Sequence, residues 1–184
     1  LKEKTDIGSK AFSFYGIELR PIGVRDLPAL RRWRNSDVIN QNMLDTSFIT
    51  PERQIMWYKS ILGREDQAHW VVWSQGVRTG YSNIKGKGAL HEEQNFEVGG
   101  YIGASSIRHV LLGYALILAQ WHIGFEELKA ETIDILIKGD NQRLIEFNER
   151  TGYRRKEETA DGMRLSLARE EYPAAQARLL KHFK

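Results

Sequence analysis

The segment that most constrains the fold is a long apolar stretch, residues 110–125, that lies between two segments with strand patterns. The preceding segment, 95–103, is rich in β-forming residues, and the following segment, 131–138, is apolar almost throughout, as in strands buried on both faces. Two polar residues interrupt the stretch, and it is shorter than the roughly 20 residues that a membrane span needs. We therefore predict a strand, a core helix over about 109–126 and a buried strand in succession.

Strand and helix patterns alternate along the rest of the chain. Thr50 followed by Pro51 marks a helix start, and Gly152 marks a helix end. Gln75 and Gly76 form the turn of a hairpin. This order predicts a mixed α/β fold in which helices cover both faces of a central sheet. The predicted strands are 16–22, 69–74, 77–85, 95–103, 131–138, 153–158 and 162–170, and the predicted helices are 27–35, 50–62, 109–126 and 141–151.

Composition restricts the class of protein. The 184 residues, 41% hydrophobic and 28% charged, suit one globular domain, which we place at 16–172 between a flexible segment, 1–15, and a C-terminal tail helix, 173–184. The absence of cysteine excludes disulfides, thiolate metal sites and cysteine nucleophiles. With no signal-peptide pattern at residues 1–14, we expect a cytoplasmic protein. The net charge of +3 comes from scattered Arg and Lys, whereas nucleic-acid binding needs clustered cations, and a small anionic ligand suits this charge as well. We expect neither nucleic acid nor a membrane as partner.

The junction between residue 103 and the apolar helix has the features of an anion site. Glycines at 99, 100 and 103 are unusual in a strand, where they often mark a bulge or a ligand close to the backbone. The N–H groups at the start of the next helix, near Arg108, lack partners within the helix and attract an anion. A strand that is merely twisted explains the glycines equally well at this stage.

Residues 97–153 resemble the core of the GNAT superfamily of acetyl-CoA dependent N-acetyltransferases. The phosphate loop of that family has the pattern R/Q-x-x-G-x-G/A, and Arg108 falls on its first position and Gly113 on its last. Leu111 departs from the pattern, because it stands where the family has its first glycine. Farther on, "DNQRLIEFNERTGY" is similar to the family's N-x-x-x-I-x-L-Y-E-K-x-G-F signature. There Asn148 replaces a tyrosine that protonates the departing thiolate, and an amide cannot supply that proton.

The resemblance implies a twisted, largely antiparallel sheet that splays between its fourth and fifth strands, with acetyl-CoA as cosubstrate and no metal. It implies Glu97 as the base that deprotonates the acceptor amine, unless that side chain simply faces solvent. His91 is the second candidate for this role, and Glu92 and His69 are rivals. For acetyl-CoA binding, the resemblance implies Tyr101, Gly103, Arg108, His109, Val110, Leu111, Leu112, Gly113 and Asn141.

The amino-terminal third resembles two GNAT branches, one acting on nucleotide-linked 4-amino sugars and one on ribosomal-protein N-termini. The first branch is the closer, which implies a nucleotide sugar as the small-molecule partner. For the two tryptophans that this resemblance places at the substrate, Trp33 and Trp57, packing in the core is the alternative role. A peptide N-terminus as acceptor, and a binding module without catalysis, stay open, as does the oligomeric state, a homodimer included. The substrate-binding residues so implied are Trp33, Arg34, Asn35 and Trp57.

Overall fold

A sheet of eight strands runs through the molecule, which the computed structural model describes for residues 6–104 and 110–183. All neighbouring strands are antiparallel except β5 and β6, which are parallel. The spatial order is β1-β2-β3-β4-β5-β6-β8-β7. In chain order the strands are β1 (Phe12–Phe14), β2 (Ile17–Pro21), β3 (Gln67–Ser74), β4 (Val77–Lys85), β5 (Asn95–Ile102), β6 (Thr132–Ile137), β7 (Arg154–Glu158) and β8 (Met163–Ala168).

Helices cover both faces of this sheet. One face carries a large core beneath the fourth helix, and the other carries a smaller core beneath the first, built on Leu30, Trp33 and Val71. None of the helices within 6–104 and 110–183 is long and apolar enough to cross a membrane. The helices are α1 (Leu27–Arg34), α2 (Asp37–Asn40), α3 (Pro51–Ile61), α4 (Val110–Trp121), α5 (Gln142–Thr151) and α6 (Tyr172–Leu180), and α4 continues as a π-helical turn (His122–Glu127).

Local sequence signals explain the helix ends. The Thr50 hydroxyl accepts a hydrogen bond from the Arg53 N–H at 3.2 Å, so α3 begins as predicted. The Asn141 side chain accepts from the Leu144 N–H at 3.1 Å and caps α5. Gly152 ends that helix at φ 136°, a left-handed value that favours glycine.

Described residues at both ends of the chain, outside the range 16–172, pack against the sheet. In the described part of the segment 1–15, residues 12–14 form β1, which pairs with β2. Burial of Ile7 and a hydrogen bond from the Trp70 indole to the Lys10 carbonyl hold this segment against the core. The tail helix predicted for 173–184 is α6, which begins at Tyr172 and buries Ala175 in the core. Apolar contacts therefore hold described residues on both sides of 16–172 against the core, and the domain bounds themselves stay a prediction.

The sheet opens between β5 and β6. Their parallel register runs from Asn95 opposite Thr132 to Glu97 opposite Asp134, and the pairing ends there. β5 stays paired with β4 as far as Ile102, while β6 stays paired with β8. Each strand keeps its outer neighbour, so two unpaired strand edges face a wedge-shaped gap. The splay implied by the resemblance is confirmed, at the strands that are β5 and β6 here.

Candidate active site

A cavity of about 650 Å³ passes through the gap between β5 and β6 and reaches both faces of the sheet. Strand alternation gives it two sides, because successive residues of β4 point to opposite faces. We call one the α3 side, lined by Arg34, Arg53, Trp57, Tyr81, Asn83 and Lys85 among others. The other is the α4 side, lined by Gly113, Leu116, Ile117, Gln120, Leu144, Phe147 and Asn148.

Backbone groups of β5 line the gap itself. The Gly103 N–H donates to the Thr79 carbonyl at 2.8 Å, so alternate residues of this part of β5 direct their backbone toward β4. By the same alternation, the N–H groups of Gly100 and Ile102 point toward the gap, where β6 has already diverged. Donors at this position suit a carbonyl oxygen that gains negative charge.

Glycines in β5 and directly after it keep this wall thin. A Cβ at Gly100 would lie 2.6 Å from the Tyr81 carbonyl oxygen and 3.3 Å from the Leu116 side chain. A Cβ at Gly103 would overlap the indole of Trp33. Gly103 is therefore explained by close packing against α1, and Gly100 by the narrow space between β4 and α4.

The α4 side is apolar and carries two amide side chains. Gln120 donates to the Gly99 carbonyl at 2.8 Å and to the Ser82 hydroxyl at 3.1 Å, which ties α4 to the sheet. Asn148, at the position where the resemblance implies a tyrosine, is buried and donates to the Leu144 carbonyl at 2.8 Å. None of the described residues that line the α4 side has a titratable side chain.

The α3 side carries positive charge. Arg34, Arg53 and Lys85 line it, and Asp45 is the one acidic side chain among the described lining residues. The Arg34 Nη2 donates to the Asp45 carbonyl at 2.9 Å. Its Nη1 is buried and has no hydrogen-bond partner among the described residues, which is costly for a charged donor unless a ligand supplies an acceptor.

A tyrosine hydroxyl and a histidine imidazole meet behind the α3 side. The Tyr81 hydroxyl lies 2.6 Å from His69 Nδ1, and the Asn83 amide donates to that hydroxyl at 3.0 Å. The Trp57 ring stands edge-on to His69, with ring centroids 5.6 Å apart. Burial lowers the pKa of His69 to about 4, with Lys85 adding to the effect, so the imidazole is neutral at pH 7.

The two predicted catalytic residues lie outside the described lining of the main cavity. Glu97 is the last residue of β5 paired with β6, and its carboxylate accepts a hydrogen bond from Arg164 at 2.8 Å. His91 lines a separate cavity of about 410 Å³, on the far side of His69. Its Nε2 lies 3.5 Å from a carboxylate oxygen of Glu92.

The residues implied for acetyl-CoA binding are spread over several environments. Tyr101 and Gly113 line the cavity. Leu112 packs against the core, Leu111 is half-buried and Val110 is 56% exposed. Arg108 and His109 lie outside the described residues.

The implied pantetheine contact, Asn141, is engaged at both ends of its amide. The oxygen caps α5, and the nitrogen donates to the Asn42 side chain at 2.8 Å. This side chain is not part of the described cavity lining. Its role toward acetyl-CoA stays a prediction.

The four residues implied for acceptor binding divide into two pairs. Arg34 and Trp57 line the α3 side. Trp33 is buried in the smaller core, which was the alternative role, and Asn35 holds Ile49 through two hydrogen bonds of 2.8 and 2.9 Å. The sequence interpretation missed the cavity-lining residues of β4, which alternate along the pattern Tyr-Ser-Asn-Ile-Lys: Tyr81, Asn83 and Lys85.

No protein-family model matches the sequence, and no curated protein matches it either. Solved structures do match. A proposed acetyltransferase from T. thermophilus is 20% identical, with a TM-score of 0.75 over 95% of this chain and 97% of that one. Aminoglycoside acetyltransferase AAC(6')-Ib, solved in complex with coenzyme A, is 21% identical, with a TM-score of 0.70 over 86% of this chain and 98% of that one.

A third similar structure, an uncharacterised protein from Bacillus halodurans, is 16% identical, with a TM-score of 0.78 over 91% of this chain and 92% of that one. The first of these comparisons spans nearly the whole length of both chains. At these identities the likeness establishes the fold and not the substrate. The chain therefore has the mixed α/β fold of GNAT acetyltransferases, as the sequence resemblance implied.

Proposed function

We propose that this chain is an N-acetyltransferase that moves an acetyl group from acetyl-CoA to a primary amine. The observation that carries the proposal is the cavity through the β5–β6 gap, with an apolar side and a charged side. Two reactants that enter from opposite faces of the sheet would meet at the backbone of Gly100 and Ile102. Holding them together in this way is a main source of catalysis for a two-substrate reaction.

The residues on the α4 side fit the pantetheine arm of acetyl-CoA, which alternates apolar links with amide groups. Unpaired edges of β5 and β6 offer backbone partners to those amides, and Leu116, Ile117 and Phe147 offer apolar contacts. When bound, acetyl-CoA supplies an activated acetyl thioester. In this proposal the phosphate-binding segment is Arg108 to Gly113, of which the described part, from Val110 on, is the start of α4.

Similar structures support a small-molecule acceptor, although the lining argues for a different one. AAC(6')-Ib has been solved with coenzyme A and kanamycin, and kanamycin is polycationic. Here the described α3 side contains three cationic side chains and one acidic side chain, which would repel such a ligand. An anionic acceptor fits this side better.

We therefore propose the 4-amino group of a nucleotide-linked amino sugar as the acetyl acceptor. The pyrophosphate would provide the acceptor oxygen that the buried Arg34 Nη1 lacks. Trp57, half-buried at the same side, offers an aromatic face to a base or sugar ring. A peptide N-terminus is less well matched, because Glu92, Glu93 and Glu97 are not among the described lining residues.

Labelled acetyl-CoA tests the proposal, when it is incubated with the protein and three acceptor panels: nucleotide-linked 4-amino sugars, short peptides and aminoglycosides. We expect label on the amino sugars. Label on peptides alone would replace the proposed acceptor and keep the reaction. If calorimetry shows no binding of acetyl-CoA at millimolar concentration, the proposed enzyme is ruled out, and a binding module without catalysis is the remaining hypothesis.

Substitution of Arg34 tests the acceptor class by itself. We expect Arg34→Gln to raise the KM for the nucleotide sugar about tenfold, since the site loses a charged donor, with the KM for acetyl-CoA unchanged. The matched control is Arg32→Gln, an arginine two residues earlier on α1 that is not part of the described cavity lining. Equal effects of the two substitutions would contradict a specific role of Arg34.

A further inference from the structure

A chain of hydrogen bonds connects the α3 side of the main cavity to the second cavity. Tyr81 lines the first cavity, His69 lines the second, and the two side chains are joined by the 2.6 Å contact between Tyr81 Oη and His69 Nδ1. His69 Nε2 lies 3.1 Å from Gln67 Oε1, and Gln67 also lines the second cavity. Arg64 and Glu65 on that wall are exposed, so the second cavity opens to solvent.

The partners determine which atom carries each proton. The Gln67 oxygen accepts only, so the proton of the neutral imidazole lies on Nε2. His69 Nδ1 is then an acceptor, and the Tyr81 hydroxyl donates to it. The Asn83 amide donates to the same hydroxyl oxygen, whose remaining lone pair is free to accept from a group in the cavity. All the donors therefore point the same way, from the main cavity toward the second one.

We infer that Tyr81 and His69 form a proton relay that carries the proton of the acceptor ammonium from the active-site cavity to solvent in the second cavity. The inference rests on the proposed N-acetyltransferase function. An ammonium N–H bond breaks as the proton moves to Tyr81 Oη, and the hydroxyl proton moves to His69 Nδ1. The imidazolium so formed releases its Nε2 proton to water of the second cavity. Tyrosine and imidazole end neutral and the amine keeps its lone pair, with the imidazole proton now on Nδ1; proton exchange with water returns the ring to the Nε2–H form before the next turnover.

Such a relay solves a problem at this site. An amine with a pKa near 10 is almost fully protonated at pH 7 and must lose a proton before it attacks a carbonyl carbon. Glu97 is bound to Arg164 and is not among the described lining residues, whereas Tyr81 is one of them. Proton transfer through a tyrosine hydroxyl needs no tyrosinate, which matters because burial raises the pKa of Tyr81.

Charges around His69 keep the imidazolium short-lived. Lys85 and Arg64 disfavour the charged ring and Asp66 favours it, while burial is the largest effect on its pKa. The proton is therefore passed on and not stored. The titratable side chains that face His69 or share the second cavity with it are Asp6, Arg64, Glu65, Asp66, Tyr81, Lys85 and His91.

The pH dependence of kcat tests the relay, measured with the nucleotide-linked 4-amino sugar that the wild type acetylates fastest. We expect Tyr81→Phe to lower kcat at least tenfold at pH 7 and to approach the wild-type value above pH 9.5, where free amine is abundant. His69→Gln should behave in the same way. Because the two groups act in series, the double variant should lose no more than either single variant.

Matched variants separate a relay from a structural role. Tyr58→Phe, on α3 and part of neither described cavity lining, should keep the wild-type profile. A loss in Tyr81→Phe that is equal at every pH would overturn the relay in favour of simple positioning. Glu97→Gln with a larger loss at pH 7 than Tyr81→Phe would overturn it in favour of Glu97 as base.

A spectroscopic measurement makes the test independent of turnover. Nitrogen-15 NMR of labelled histidine should show His69 as the Nε2–H tautomer, with an Nδ1 resonance that moves in Tyr81→Phe. The Nδ1–H tautomer in the resting protein, measured without substrates, would overturn the relay, because Tyr81 would have no acceptor there. A wild type that acetylates none of the panels contradicts the proposed function, and the tautomer then decides whether the chain of donors exists.

Discussion

The two sides of the cavity differ in chemistry although they share one backbone wall. On the α4 side, β5 and β6 face apolar side chains and two amides, none of which titrates in the described lining. On the α3 side the same strands face three cations, a tryptophan and a neutral imidazole behind a tyrosine. A flexible chain that ends in an acyl group suits the first environment, and a charged reactant that exchanges protons suits the second. The division indicates which reactant each face of the sheet is built for.

The largest expected effect comes from a substitution that blocks only the α4 side of the cavity. Gly113 lines that side, and a Cβ there would meet no atom within 4 Å apart from its chain neighbours and the backbone of its own helix, so a side chain at this position starts into open space. We expect Gly113→Trp to weaken coenzyme A binding at least a hundredfold, about 2.7 kcal/mol, measured by calorimetry. Loss of a helical glycine should leave the free energy of unfolding equal or higher.

A conservative substitution at the same position is the control. Gly113→Ala should raise the free energy of unfolding by up to about 1 kcal/mol and change coenzyme A affinity little. Wild-type affinity in Gly113→Trp would mean that coenzyme A does not occupy the α4 side, and the comparison of the two sides would lose its functional meaning.

The next largest effect comes from His69, behind the α3 side, and is a dependence of the free energy of unfolding on pH. The pKa of His69 is lowered from 6.5 to about 4 in the folded protein, so the unfolded chain binds the extra proton more readily between these values. The contribution of neutral His69 to the free energy of unfolding is therefore present above about pH 6.5 and is lost as the pH falls toward 4. At pH 5 the loss attributable to His69 is about 2 kcal/mol.

Urea unfolding of the wild type and His69→Gln at pH 7.5 and pH 5 measures this loss. The wild type should lose about 2 kcal/mol more than the variant between the two pH values. Parallel losses in both proteins would show that His69 is solvated in the folded state, which would also weaken the case for a neutral imidazole behind Tyr81.

Sequence reasoning predicted the sheet, the helices and the splay better than it predicted the site. The periodicity of β4 and the caps at Thr50 and Gly152 are local signals, and they suffice for the elements. The partner of Glu97 is not local: Arg164 lies 67 residues farther along and reaches it only because β8 pairs with β6. No pattern in the sequence reveals such a partner, so Glu97 is a candidate base in the sequence and is found in an ion pair with Arg164 in the structure.

The tryptophans show the same limit on the α3 side. Trp33 and Trp57 both lie on helices above one sheet face, and only the tertiary structure separates the buried ring from the ring beside the cavity. Likewise, polar residues that alternate along a strand are typical of a solvent face. In β4 the same alternation points Tyr81 and Asn83 into a cavity, because α3 covers that face.

The smallest expected effect concerns the loop that closes the α3 side. Asn35 holds Ile49 by donating to its carbonyl and accepting from its N–H, and Ile49 is part of the cavity lining. We expect Asn35→Ala to lower the free energy of unfolding by about 1 kcal/mol, since two partly buried hydrogen bonds are lost. Acceptor affinity should fall a few-fold with coenzyme A affinity unchanged, because the α4 side is untouched. Gln41→Ala, an exposed position in the same loop, is the control, and a matching loss of coenzyme A affinity in Asn35→Ala would show that the two sides are not independent.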